Sequence, residues 1–85
     1  MEIAVFDTYV KKPEGGLMHF DILVESGVTG ELVYQYGKKY LTEKGYPKLD
    51  LTSKECKFCH VEQPGADIRR AIIDKGFAII EMQGC

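Results

Sequence analysis

Two thiols and an imidazole fall within five positions at Cys56-Lys57-Phe58-Cys59-His60. Residues of these types at this spacing can hold a metal ion, cycle a disulfide or anchor a haem. Each chemistry makes its own demand on the backbone. Zinc needs four donors around one point. Cys56 and Cys59 have knuckle spacing, and His19 and Cys85 are the natural further ligands, with Asp7 and Asp21 as outside choices. His60 follows Cys59 directly and is awkwardly placed for the same ion. There is no second Cys-x-x-Cys, and the segment lacks the glycine that often lets a knuckle turn. A redox pair needs a thiolate of lowered pKa and two sulfurs within bonding reach. Covalent haem would take Cys56 and Cys59 as thioethers, His60 as axial ligand and Met82 as a second. That attachment normally follows export, and an export signal is not seen, so haem is set aside. A fourth reading needs no chemistry: cysteine is among the most buried residue types and then acts as a small hydrophobe. Local geometry decides between these. On an extended strand the sulfurs of Cys56 and Cys59 diverge, and the structural reading is favoured.

A second constellation lies near the N-terminus. Residues 2–11 and 17–25 alternate like strands, and Lys12-Pro13-Glu14-Gly15-Gly16 between them is turn chemistry. A five-residue loop sets Tyr9 opposite His19, Asp7 opposite Asp21 and Phe6 opposite Ile22. Asp7, Tyr9, His19 and Asp21 then share one face of the hairpin, and His60 is added to this polar binding patch. Two carboxylates directly opposite repel unless a cation, a shared proton or His19 stands between them. Such a set can perform general acid–base chemistry. No nucleophile or phosphate-binding loop accompanies it, so a neutralised polar stripe is the preferred reading.

Thr29 caps a helix over about 30–44, with Leu32, Val33, Tyr36, Tyr40 and Leu41 on one stripe and Gly45 as the stop. Gly37 sits beside that stripe, where it costs about 1 kcal/mol against alanine unless close packing offsets it. Leu49 and Leu51 anchor the connector that follows. Thr52-Ser53-Lys54-Glu55 matches a capping box, but the side chains of 57–62 suit a strand. We read a short turn at 52–55 and then a strand to about 62, with Cys56, Phe58 and His60 facing one way and Cys59 and Val61 the other. Pro64 and Gly65 open a second helix through about Lys75, striped by Ile68, Ala71 and Ile72 and ended by Gly76. Residues 77–82 are apolar on both sides, which predicts an interior strand. The order is ββαβαβ in a single domain, 1–85. The fold class is α+β: a two-layer sandwich of a four-stranded sheet with two helices on one face. The hairpin face bearing Asp7, His19 and Asp21 also bears Ile3, Val5, Tyr9, Leu17 and Leu23, too apolar for water. Either the 46–53 connector covers it or a second copy does, which gives a homodimer.

The totals exclude some classes. The 45% hydrophobic and 28% charged composition is that of a folded domain. A net charge of −2 with scattered basic residues gives no nucleic-acid footprint. No stretch reaches the ~20 apolar residues of a membrane span, and the N-terminus reads as a strand and not as a signal peptide. The expected location is the cytoplasm, where thiols stay reduced.

With these segments defined, the chain resembles a family of small bacterial proteins classed as a domain of unknown function, number two thousand and twenty-four of that series. The resemblance rests on Phe6-Asp7-Thr8-Tyr9-Val10, Met18-His19-Phe20-Asp21-Ile22-Leu23-Val24, Leu51-Thr52-Ser53-Lys54-Glu55-Cys56 with Phe58-Cys59-His60, and Ile80-Glu81-Met82. It spans essentially the whole length. It implies a small bacterial α+β protein and no catalytic role. The functional expectation is a non-enzymatic module binding a protein partner or small ligand, without a cofactor. A zinc protein built on Cys56 and Cys59 is the alternative, and a thiol–disulfide protein the third.

Overall fold

The computed structural model describes Met1–Cys85. Its elements run β1 (Ile3–Lys11), β2 (Leu17–Glu25), α1 (Gly30–Glu43), β3 (Cys56–Glu62), α2 (Ala66–Lys75) and β4 (Phe77–Gln83). This is the expected α+β sandwich in ββαβαβ order, with one four-stranded sheet ordered β3-β1-β2-β4 and every neighbouring pair antiparallel. The hairpin register is the expected one: Phe6 faces Ile22, Asp7 faces Asp21 and Tyr9 faces His19. The loop fixes it. Gly15 and Gly16 both adopt positive φ, and the Lys12 N–H donates to the Gly16 carbonyl at 3.0 Å, closing the turn before Lys11 pairs with Leu17.

Thr29 Oγ1 accepts from the Leu32 N–H at 3.3 Å and starts α1. The helix lays Val33, Tyr40 and Leu41 on the face made by Ala4, Val10, Met18, Phe20, Ile22 and Val24. Gly37 is the closest approach. A Cβ there would lie 2.2 Å from Leu51 Cδ2 and 2.8 Å from Ile22 Cδ1, so the glycine's helix cost is offset by contact that no larger residue allows. Leu51 and, less deeply, Leu49 tie the connector to this core, and the Lys38 ammonium holds the connector's Pro47 and Leu49 carbonyls.

Two expectations are overturned. The helices do not share a face. Ile72 of α2, with Ile68 and Ala71 beside it, packs on Ile3, Val5, Leu23 and Ala78, which point away from the α1 core because alternate strand residues point to opposite sides. A helix on each side makes three layers where two are expected. The apolar hairpin face, expected to need a connector or a second copy over it, is covered over that half by α2. β4 is also not interior: it is an edge strand. Its two-sided apolarity has another cause, since Phe77 and Ile79 belong to the α1 side and Ala78 to the α2 side. Only the start of the strand lies between the helices, and Ile80 and Met82 are exposed.

Candidate functional site

The capping-box residues 52–55 close one turn without a helix. Glu55 Oε1 accepts from the Thr52 N–H and hydroxyl, both at 2.8 Å, and these bonds hold the Glu55 carboxyl below its usual range. The chain then extends into β3. Cys56 faces Thr8 and Phe58 faces Phe6, so both project to the α1 side, where Cys56 joins the core at 1% exposure.

The register then slips. His60, not Cys59, faces Val5, and Cys59 is the extra residue of a β-bulge. The slip reverses the parity of every later side chain. His60 therefore points to the α2 side, away from Cys56, and Val61 returns to the α1 side opposite Ala4. This corrects the expectation that Cys56 and His60 share a face. Cys59 Sγ lies 3.2 Å from His60 Nδ1, and His60 Nε2 lies 2.8 Å from Glu62 Oε1. The order of thiol, imidazole and carboxylate is that of a nucleophile with its base and orienting group, but all three stand exposed on an edge strand.

The sulfur set expected for zinc does not assemble. Cys56 is sealed in the core while Cys59 and Cys85 are exposed, and all three are free thiols. Cys85 Sγ lies against the backbone carbonyls of Gln83 at 3.4 Å and His19 at 3.5 Å, beside the Tyr40 hydroxyl and far from a second thiol. No group of three convergent ligand atoms includes a cysteine. Burial also raises the Cys56 thiol pKa, the reverse of what redox chemistry needs. In native protein, an aromatic disulfide reagent is therefore expected to titrate Cys59 and Cys85 promptly and Cys56 only on unfolding. Cys59 is expected to react first, because His60 can take its proton, and His60→Ala is expected to remove that lead. Equal reactivity of all three thiols would contradict this placement.

The residues that do converge are those of the hairpin. α2 covers Ile3, Val5 and Leu23 and leaves the other end of the same face open. There Asp7, His19 and Asp21 each bring one donor atom within 4.8 Å of the other two. His19 Nε2 is 2.9 Å from Asp7 Oδ1, and the imidazole stacks on the Tyr9 ring with centroids 4.1 Å apart and planes within 10°. Tyr9 is 46% exposed whereas Asp21 is 8% exposed, with Oδ1 buried and without a hydrogen-bond partner. The electrostatics separate the two carboxyls. Hydrogen bonding from His19 and then Asp21 holds Asp7 below its ordinary pKa. Burial, then the bond to Asp7 and the Asp7 charge, lift Asp21 to about 6. Below about pH 6 the pair shares a proton beside the imidazole, and above it both carboxyls are ionised.

The rim comes from neighbouring strands. Lys57 of β3 faces Asp7 and Ile80 of β4 faces Asp21. An open recess of about 330 Å³ runs from Asp7 and Tyr9 to Lys57 and Cys59. β4 carries a bulge too, where pairing slips between His19 and Phe20. Asp7, Tyr9, His19 and Asp21 are legible from the hairpin alone. Cys59, Lys57 and Ile80 as rim residues are not, because bulges leave no compositional trace and strand order is not written in the segments. The parity of Lys57 with Asp7 was the only available signal.

No helix is long and apolar enough to cross a membrane. No protein of curated function is significantly similar to the chain. The NMR structure of protein NE1680 from Nitrosomonas europaea, a Northeast Structural Genomics Consortium target, is 36% identical to it. That likeness covers 100% of this chain and 99% of the other, with a TM-score of 0.85. The sequence profile of a family described as Domain of unknown function (DUF2024) matches residues 1–82, and the chain belongs to that family.

Proposed function

We propose that this chain is a small, non-enzymatic cytoplasmic binding module that seats a small cationic ligand on the open half of its sheet. One observation carries the reading: the Asp21 carboxyl is 8% exposed, with an oxygen that no donor reaches. A buried carboxyl without its full set of partners is costly, and a bound cation would supply what it lacks. Asp7 lies beside it, and the Tyr9–His19 stack gives a half-exposed aromatic face suited to an ammonium or guanidinium group. Binding and not catalysis is supported by what surrounds the cluster. The Cys59–His60–Glu62 chain stands exposed to water on an edge strand, not in the water-excluded setting that makes charge stabilisation effective. The test is a panel of small amines, guanidines and carboxylates added to isotope-labelled protein. Cationic compounds are expected to shift the amides of Tyr9, His19 and Asp21, and Asp21→Asn to abolish the shifts. Carboxylates acting equally, or shifts centred elsewhere, would refute the reading.

A further inference from the structure

We infer that Asp7, His19 and Asp21 form a binding site for a divalent first-row transition-metal ion, held through two carboxylate oxygens and one imidazole nitrogen. The inference rests on the cationic character proposed above and names the cation.

Distances carry the first part of the argument. Around a four-coordinate ion with bonds of about 2.0–2.2 Å, adjacent donors stand about 3.3–3.6 Å apart. His19 Nε2 and Asp7 Oδ1 are already 2.9 Å apart, and all three donors lie within 4.8 Å of one another. Small side-chain rotations bring them to one centre. Burial carries the second part. Asp21 Oδ1 is enclosed and unpartnered, whereas surface acidic clusters have water for every oxygen. The donors also come from the two central, directly paired strands, which are rigid supports for a ligand set.

The donor set selects the ion. An imidazole favours zinc and its neighbours over magnesium and calcium, which prefer oxygen alone. Two carboxylates and one neutral imidazole balance a dication, and three protein ligands leave a position for water or a further group. Lys57, opposite Asp7, opposes the dication by charge, which argues for moderate affinity.

Cobalt(II) is the probe, because its visible spectrum reports the ligands. Titrated into metal-stripped, tag-free protein, it is expected to give one ion per chain without the near-ultraviolet sulfur-to-cobalt band that a thiolate ligand produces. Zinc is expected to displace it, and magnesium and calcium are not. His19→Gln and Asp21→Asn, each checked for a native amide spectrum, are expected to weaken binding by at least about tenfold. Cys59→Ser is expected to leave it unchanged. A sulfur-to-cobalt band, or loss of binding in Cys59→Ser with retention in Asp21→Asn, would overturn the inference by moving the ion to the Cys59–His60 edge. No cobalt binding together with amide shifts from organic cations would overturn the metal alone. Failure of both would overturn the reading of the site as well.

Discussion

Phe20→Ala is expected to lower unfolding free energy by about 3–5 kcal/mol, the range for emptying a phenylalanine site in a packed core. A chain of 85 residues has roughly 4–13 kcal/mol in total, so this one change removes about a quarter of it or more. Phe20 is fully buried at the middle of β2, against the Tyr40 ring of α1 with centroids 4.6 Å apart. The loss would not stay local. The Tyr40 hydroxyl donates to the Glu81 carboxylate, which also pairs with Lys44 at 3.1 Å, so the ring that Phe20 supports links α1 to the edge strand β4. The measurement is a urea titration followed by circular dichroism. With a slope of about 1 kcal/mol per molar for a small domain, the midpoint falls by about 3–5 M, and the variant is largely unfolded in buffer if the parent lies at the low end of that stability range. Phe58→Ala is the internal comparison. Phe58 touches Phe6 edge-on but is 58% exposed, and its removal is expected to cost under about 1 kcal/mol. Equal losses for the two variants would mean that Phe20 is not at the centre of the α1-side core with Phe58 at its margin.

The hairpin and the helix bounds are legible in the sequence because local chemistry specifies them. Pro13, Gly15 and Gly16 fix a loop length, loop length fixes register, and register sets Asp7 against Asp21. Thr29, Gly45, Gly65 and Gly76 mark where helices start and stop for equally local reasons. What fails is non-local. The Ile68–Ala71–Ile72 stripe states that α2 is amphipathic, but not which side of the sheet it finds. The apolar partners Ile3, Val5 and Leu23 were visible, and α2 was the element that matched them. The same gap misplaces β4, whose residues look interior because two helices flank the start of an edge. The bulge at Cys59 is a different kind of miss. One extra residue costs nothing in propensity, yet it transfers His60 to the face of the carboxylate pair and leaves Cys56 behind in the core. The Cys-x-x-Cys-His spacing that dominates the sequence therefore never becomes a single cluster, while three residues from two ordinary strands converge.

Asp21→Asn is expected to make the protein more stable at pH 7, by on the order of 1–2 kcal/mol, and to flatten its stability between pH 5 and 7. The sign follows from the direction of the shift. Asp21 binds its proton more tightly when folded, at about 6 against 3.8 for the free side chain. Its favourable contribution is full below about 3.8 and is lost as pH rises through about 6. Asp7 runs the opposite way: its pKa is depressed by folding, so its contribution is present above about 3.8 and lost below that. Glu55 and Glu81, both also depressed, add to the loss at acid pH. The parent protein is therefore expected to be most stable between about pH 4.5 and 6. Asparagine keeps the shape of Asp21 and gives Asp7 a permanent N–H donor in place of the shared proton, so the variant no longer has a buried charge to accommodate at neutral pH. Urea midpoints at pH 5, 6 and 7 decide it. A variant less stable than the parent at pH 7, with no gain for the parent on acidification, would show that Asp21 is not strained when ionised. The same substitution is expected to weaken cation binding by at least about tenfold. A carboxyl that weakens the fold at neutral pH, in a position where its amide would strengthen it, is the pattern of a group serving binding at the expense of stability. A single variant that gains stability and loses the ion would connect those two properties at one oxygen atom.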